Sequence, residues 1–227
     1  YMWDDHDYGP NNSSGLSPNQ DGHIACQKIA RQSYKDYVPH YPLAFSEDNT
    51  VISQSFNIGR VRYLLTDLRS EKRRPLFIGD CDSPDPKNCK KTKPGSNFGP
   101  EEHLDWFKGQ MLEAKNNDLA VVWHSSFPYL STPDLSWFNC DDENTIVTDK
   151  GYECDDHDNW GWYPEERQDI ANFIKENKIP ICIVSGDAHM SAIDDGTNSD
   201  YAVDGGAPIP ILHAGPLDRR PSIKGGP

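Results

Sequence analysis

Ile179-Pro180-Ile181-Cys182-Ile183-Val184-Ser185-Gly186-Asp187-Ala188-His189 is the stretch on which the fold turns. The run Ile179 to Val184 is apolar throughout and too short for a buried helix, so it reads as a core strand. Upstream, Pro164-Glu165-Glu166-Arg167 opens a helix, with proline in the first turn and acidic residues against the positive end of the helix dipole. Ile170, Phe173 and Ile174 supply its apolar stripe. Further back, Leu119-Ala120-Val121-Val122-Trp123 is a second short apolar run. Strand, helix, strand in that order predicts a βαβ unit, because parallel neighbours need a crossover connection. The expected class is α/β. Ligands of open α/β sheets bind beyond the carboxyl ends of the strands, so Ser185 to His189 stands where chemistry is expected.

Other elements follow from periodicity. Asp21 to Val38 has helical spacing at Ile24, Ile29, Ala30 and Tyr34, and Pro39 ends it. Thr50 to Phe56 and Arg60 to Asp67 read as a hairpin joined by Asn57-Ile58-Gly59, with Thr66-Asp67-Leu68-Arg69 at the tip of the second strand. Pro75 to Gly99 reads as a long loop. Pro100-Glu101-Glu102 opens another helix, with Leu104, Phe107, Met111 and Leu112 as its apolar face. No solenoid-type repeat is present.

With 227 residues, 35% of them apolar, the chain can bury a core of its own. Lys and Arg number 22 against 36 Asp and Glu, a net charge of −14, which excludes a general basic footprint for nucleic acid or an anionic membrane. No apolar run approaches the ~20 residues of a membrane span. The polar opening Tyr1-Met2-Trp3-Asp4-Asp5-His6-Asp7 has neither the basic flank nor the apolar centre of a signal peptide, and reads as the interior of a longer protein.

Six cysteines show no CxxC spacing. Cys81 with Cys89, and Cys140 with Cys154, each bracket a short polar segment and are expected to form disulfides, with Cys26 and Cys182 as buried thiols. That places the chain in an oxidising, secreted or extracytoplasmic setting. The other reading keeps all six reduced in the cytosol.

Asp5, His6, Asp187 and His189 are the residues singled out for chemistry. Aspartate and neutral imidazole bind hard and borderline metal ions, and an Asp-x-His pair after a buried strand offers two ligands to one site. His6 lies between carboxylates that would orient its ring as a general acid requires. On spacing alone, chance Asp-His pairs on an acidic surface explain the pattern as well.

Trp3-Asp4-Asp5-His6-Asp7-Tyr8-Gly9-Pro10-Asn11-Asn12 resembles the signature of the PhoD-like (alkaline phosphatase D) family of calcineurin-type metallophosphoesterases. Further blocks match in order: Leu65-Thr66-Asp67-Leu68-Arg69-Ser70, Trp160 through Tyr163 to Glu166-Arg167, and Ser185-Gly186-Asp187-Ala188-His189-Met190-Ser191. Ile223-Lys224-Gly225-Gly226-Pro227 is similar to a downstream family segment. The resemblance implies a four-layer α/β/β/α sandwich, with residues 1–227 as one metallophosphatase domain lacking its first strands and the end of its tail. Those strands would carry the remaining ligands, among them the bridging carboxylate.

Residue by residue, the resemblance makes Asp5, Asp187 and His189 metal ligands and His6 the acid that protonates the leaving group. The implied metals are iron with calcium, in a dinuclear site, with manganese or zinc as alternatives. The implied reaction is attack of a metal-bound hydroxide on a small phosphoester, monoester or diester. Arg69 clamps the phosphate as a planar fork in one reading; in the other, Asp67 at this strand end hydrogen-bonds nearby backbone or His6. A catalytically silent, acidic calcium-binding or structural module is the alternative function. His103 stands where the family has glutamine, and His124 is given no role. The second Asp-Asp-His-Asp, Asp155 to Asp158, reads as a solvated charge run. Trp160, Trp162 and Tyr163 read as packing, and His213 as a core-strand neighbour.

Overall fold

Strands β5 (Ala120–Ser125) and β8 (Ile181–Ser185) lie side by side and parallel, with helix α4 (Pro164–Asn177) as the crossover between them. This is the unit that the apolar runs predict. The computed structural model describes residues 1–8, 14, 21–45, 51–73, 75–79, 89–131, 145–148, 151–154 and 159–215, and of residues 8, 21–26, 76–79, 89–93, 145–148 and 151–154 the backbone alone.

In chain order the elements are α1 (Asp5–Tyr8), α2 (Asp21–Tyr37), β1 (Gln54–Ile58), β2 (Val61–Leu65), β3 (Leu76–Gly79), β4 (Cys89–Lys93), α3 (Glu101–Asn116), β5, β6 (Thr145–Thr148), β7 (Gly151–Cys154), a 3-10 turn at Trp160–Trp162, α4, β8, β9 (Ala192–Asp194) and β10 (Ile211–His213). A six-stranded sheet has the order β1-β2-β5-β8-β10-β9 and a four-stranded one β4-β3-β7-β6. The four central strands of the larger sheet, β2, β5, β8 and β10, are parallel, flanked by antiparallel β1 and β9.

Helices α3 and α4 cover one face of this sheet. Leu64, Val121, Trp123, Ile183 and Ile211 form the floor, and Phe107, Met111, Ala114, Ile170, Ala171 and Ile174 descend from the helices. Trp123 is the centre, its ring edge-on to Trp160 at 5.4 Å and tilted against Phe107 at 4.7 Å. Both buried indoles keep their N–H satisfied: Trp123 Nε1 donates to Thr66 Oγ1 at 2.8 Å and Trp160 Nε1 to Ser125 Oγ at 3.1 Å. Each such ring removes about 150–250 Å² from water, a gross stabilisation of roughly 4–6 kcal/mol.

The opposite face is apolar but half-exposed. Register aligns Tyr63, Val122 and Cys182 on it, then Val184, Leu212 and Ile193; Ile193 is 82% exposed. Near its β1 edge, Tyr41, Phe56 and Tyr63 stack at 3.9 and 5.3 Å between ring centroids. The helix layer and the six-stranded sheet are two layers of the expected sandwich.

Two expectations shift. The hairpin turns at Gly59-Arg60, since Ile58 pairs with Val61, and Gly59 takes the positive φ of 58° that this turn demands. The stretch 75–99 is not one loop, because it contains β3 and the lysine-rich β4, which pair antiparallel. Cys182 is a free, half-buried thiol. Cys81 and Cys140, one partner of each expected disulfide, and Asp155 to Asp158 lie outside the described residues. Among those described, no helix is long and apolar enough to cross a membrane.

Candidate metal centre

Trp3 anchors the amino-terminal block. Its ring is buried in a small cluster with Tyr34 and Ile52, and its Nε1 donates to Asp67 Oδ1 at 3.0 Å. The chain then passes Asp4 and enters α1, whose first turn is closed by Asp7: Asp7 Oδ2 accepts from Asp4 N at 3.0 Å and Oδ1 from the Tyr1 hydroxyl at 2.6 Å. An acid reaching back to the N–H at the helix start is the logic of a capping box. Asp7 therefore shapes the turn that presents its neighbours.

From the carboxyl end of β2 comes Arg69, a fully buried side chain. Its Nε and Nη2 donate to Asp4 Oδ1 at 2.9 and 2.5 Å, and its guanidinium lies 5.3 Å from the Phe127 ring centre. The fork that the resemblance points at a phosphate is here closed on Asp4. Asp67 follows the other reading of the strand end, its carboxylate accepting from the backbone N–H groups of Ile52, Arg69 and Ser70, each at 3.0 Å.

From the end of β8 comes Asp187. Ala188 N donates to Gly186 O at 3.0 Å across a residue with φ of 74°, which is a γ-turn of the rare positive-φ form. His189 follows with φ of 53°. Non-glycine residues in this region cost on the order of 1–3 kcal/mol each and gather at functional sites. Beside this turn, at the end of β5, Ser126 Oγ is buried without a hydrogen-bond partner, and Ser126 O would lie 3.6 Å from a β-carbon on Gly186.

Asp4, Asp5 and Asp187 meet at this rim, each offering a carboxylate oxygen within 4.8 Å of the others. Asp5 is 4% exposed and the other two half-buried. Sequence reasoning singled out Asp5 and Asp187 and missed Asp4; two adjacent aspartates are indistinguishable by spacing, and the Arg69 contact is what separates them. Among the described residues, neither His189 nor His6 joins that group. His6 stands at the rim, its side chain 60% exposed, with Nε2 3.9 Å from Asp5 Oδ2. His124 is half-buried, and burial pushes its pKa below the usual histidine range.

The Glu166-Arg167 block supports the core. Glu166 accepts from Ser96 Oγ at 2.5 Å, Asn97 N at 2.7 Å and Phe98 N at 3.4 Å, and burial raises its pKa to about 7 against these lowering contacts. Arg167 Nη1 donates to the carbonyls of Tyr129 and Ser131 at 3.1 and 2.7 Å, with its guanidinium 3.6 Å from the Tyr201 ring centre. Trp160 and Tyr163 are fully buried, and His213 is buried on β10 with Nδ1 2.8 Å from Ser185 Oγ.

The donor set suits a metal ion. Three carboxylates facing one another repel, and a hard cation with oxygen preference relieves that repulsion. No curated protein matches the chain. A solved structure described as "Structure of PhoD" has the same fold, with a TM-score of 0.60 at 14% identity over 94% of this chain. This chain spans 39% of the length of that one. Residues 1–215 match the PhoD-like phosphatase family. The chain belongs to the PhoD-like phosphatase family.

Proposed function

We propose that the chain provides a metal-dependent phosphoester-hydrolysing site, with Asp4, Asp5 and Asp187 holding the metal. The observation that carries this reading is the convergence of three carboxylates from the amino-terminal block and the β8 strand end, within 4.8 Å, in a chain of a phosphatase family. A bound cation supplies charge for the phosphoryl oxygens and lowers the pKa of water. A donor set dominated by carboxylate oxygen fits calcium, iron(III) or manganese better than softer metals.

The chain's own residues do the rest. The γ-turn at Asp187 fixes one carboxylate, and Arg69 fixes Asp4. Ser126 Oγ offers an unsatisfied hydroxyl beside the turn. His6, exposed at the rim, is assigned the proton that a departing alkoxide oxygen needs. His189 follows Asp187 in the same segment and is retained as a further candidate ligand. The substrate class is a small phosphate monoester or diester, and the reading includes an extracytoplasmic setting.

Hydrolysis of p-nitrophenyl phosphate and bis-p-nitrophenyl phosphate in the presence of Ca²⁺ and Mn²⁺ tests it. Activity that falls at least about 100-fold in Asp187→Asn supports the site, and equal turnover by the variant and the unmodified chain contradicts it. Stoichiometric Ca²⁺ binding without turnover would assign the silent module instead.

A further inference from the structure

Between the core and the three aspartates lies a fourth, Asp67, only 1% exposed. Its carboxylate receives five hydrogen bonds. Trp3 Nε1, Arg69 N and Ser70 N donate to Oδ1, each at 3.0 Å. Ile52 N at 3.0 Å and Ser70 Oγ at 2.6 Å donate to Oδ2. A carboxylate has about four lone-pair sites, so these donors fill it and leave no capacity for a metal or substrate of its own.

Two of the five donors belong to the candidate centre. Trp3 directly precedes Asp4 and Asp5, and its indole is tied to Asp67 across 64 positions of sequence. Arg69 is tied through its backbone N–H, and its guanidinium in turn grips Asp4 Oδ1. The same carboxylate therefore sets the backbone that carries Asp4 and the side chain that orients it.

Behind Asp67 the web continues into α3. Asp67 N donates to Ser53 Oγ at 2.8 Å, and Ser53 Oγ lies 2.8 Å from His103 Nε2. His103 Nδ1 lies 2.9 Å from Phe98 O, a group that only accepts. Nδ1 thus carries the proton, and Nε2 accepts from the Ser53 hydroxyl. Every bond in the line has one consistent direction from Asp67 N to the Phe98 carbonyl.

We propose that Asp67 is the positioning residue of the metal centre, holding Asp4 and Asp5 in register with Asp187 through Trp3 and Arg69. This rests on the metal reading given under Proposed function. Groups that orient metal ligands typically change affinity by about 10–100-fold when lost.

Mn²⁺ titration, followed by electron paramagnetic resonance alongside the melting temperature, tests the assignment in the 227-residue chain. Trp3→Phe keeps an aromatic ring, removes the N–H donor and trims part of the buried indole, and it carries the test even where Asp67→Asn fails to fold, with the melting temperature reading the lost packing separately. Each is expected to weaken Mn²⁺ binding about 10-fold or more and to broaden the bound-ion spectrum. The double variant is expected to bind no more than about twofold worse than Asp67→Asn, because both cut one path. A core variant, Phe107→Leu, lowers the melting temperature with Mn²⁺ affinity within about twofold, separating positioning from general destabilisation. Unchanged affinity in Trp3→Phe and Asp67→Asn, with binding lost in Asp187→Asn, would overturn the positioning role alone. A chain that binds no Mn²⁺ at all would overturn the metal reading and this role with it.

Discussion

Arg69 Nε and Nη2 both donate to Asp4 Oδ1, at 2.9 and 2.5 Å. The contact orients Asp4, which is half-buried at the rim. Arg69→Lys keeps the charge but loses the planar geometry. It is expected to weaken Mn²⁺ binding about 10-fold. Arg69→Ala should also cost about 2 kcal/mol of stability, because a buried charged donor is lost while Asp4 keeps some contact with water. Calorimetric titration and urea unfolding of the two variants read these effects separately.

Glu166 gives the fold a pH dependence. Its pKa rises from 4.5 unfolded to about 7 in the folded chain, chiefly by burial, so between those values the folded state holds more protons. Stability then falls as pH rises through that window, by up to about 1.4 kcal/mol per pH unit from this group. Glu166→Gln mimics the protonated acid and is expected to flatten the slope. Denaturant midpoints from pH 4.5 to 7.5 for both proteins check it, and parallel curves would contradict the assignment.

The βαβ unit was legible because its signals are local: an apolar run, a proline-acid helix start, and a second apolar run. Strand β4, by contrast, is Cys-Lys-Lys-Thr-Lys at residues 89–93, with no apolar alternation, and is a strand only because β3 pairs with it. Helix α3 was found but turned: its buried stripe is His103, Phe107, Met111 and Ala114, since the His103 ring is satisfied by Phe98 O and Ser53 and can enter the core. Asp5 and Asp187 stood out in the sequence as parts of motifs. Asp4 and Asp67 lie in the same motifs, but the place of Asp4 in the carboxylate group and the tie from Asp67 to Trp3 depend on contacts across more than 60 positions of chain.

Gly99 links the Glu166-bound segment to α3. Its φ is +77°, and a β-carbon there would stand 1.9 Å from the carbonyl oxygen of Glu71. No rotamer relieves a clash with backbone. Gly99→Ala is expected to destabilise the chain by about 3 kcal/mol or more, whereas Gly109→Ala, at an open helical position, should stabilise by about 0.5–1 kcal/mol. Thermal unfolding of the pair checks both signs.

The most direct test of the metal reading is an anomalous difference map from a crystal of the chain soaked in Mn²⁺. The account predicts a peak about 2.0–2.6 Å from carboxylate oxygens of Asp4, Asp5 and Asp187, absent in Asp187→Asn. Manganese bound only elsewhere, or a peak unchanged in that variant, would contradict it.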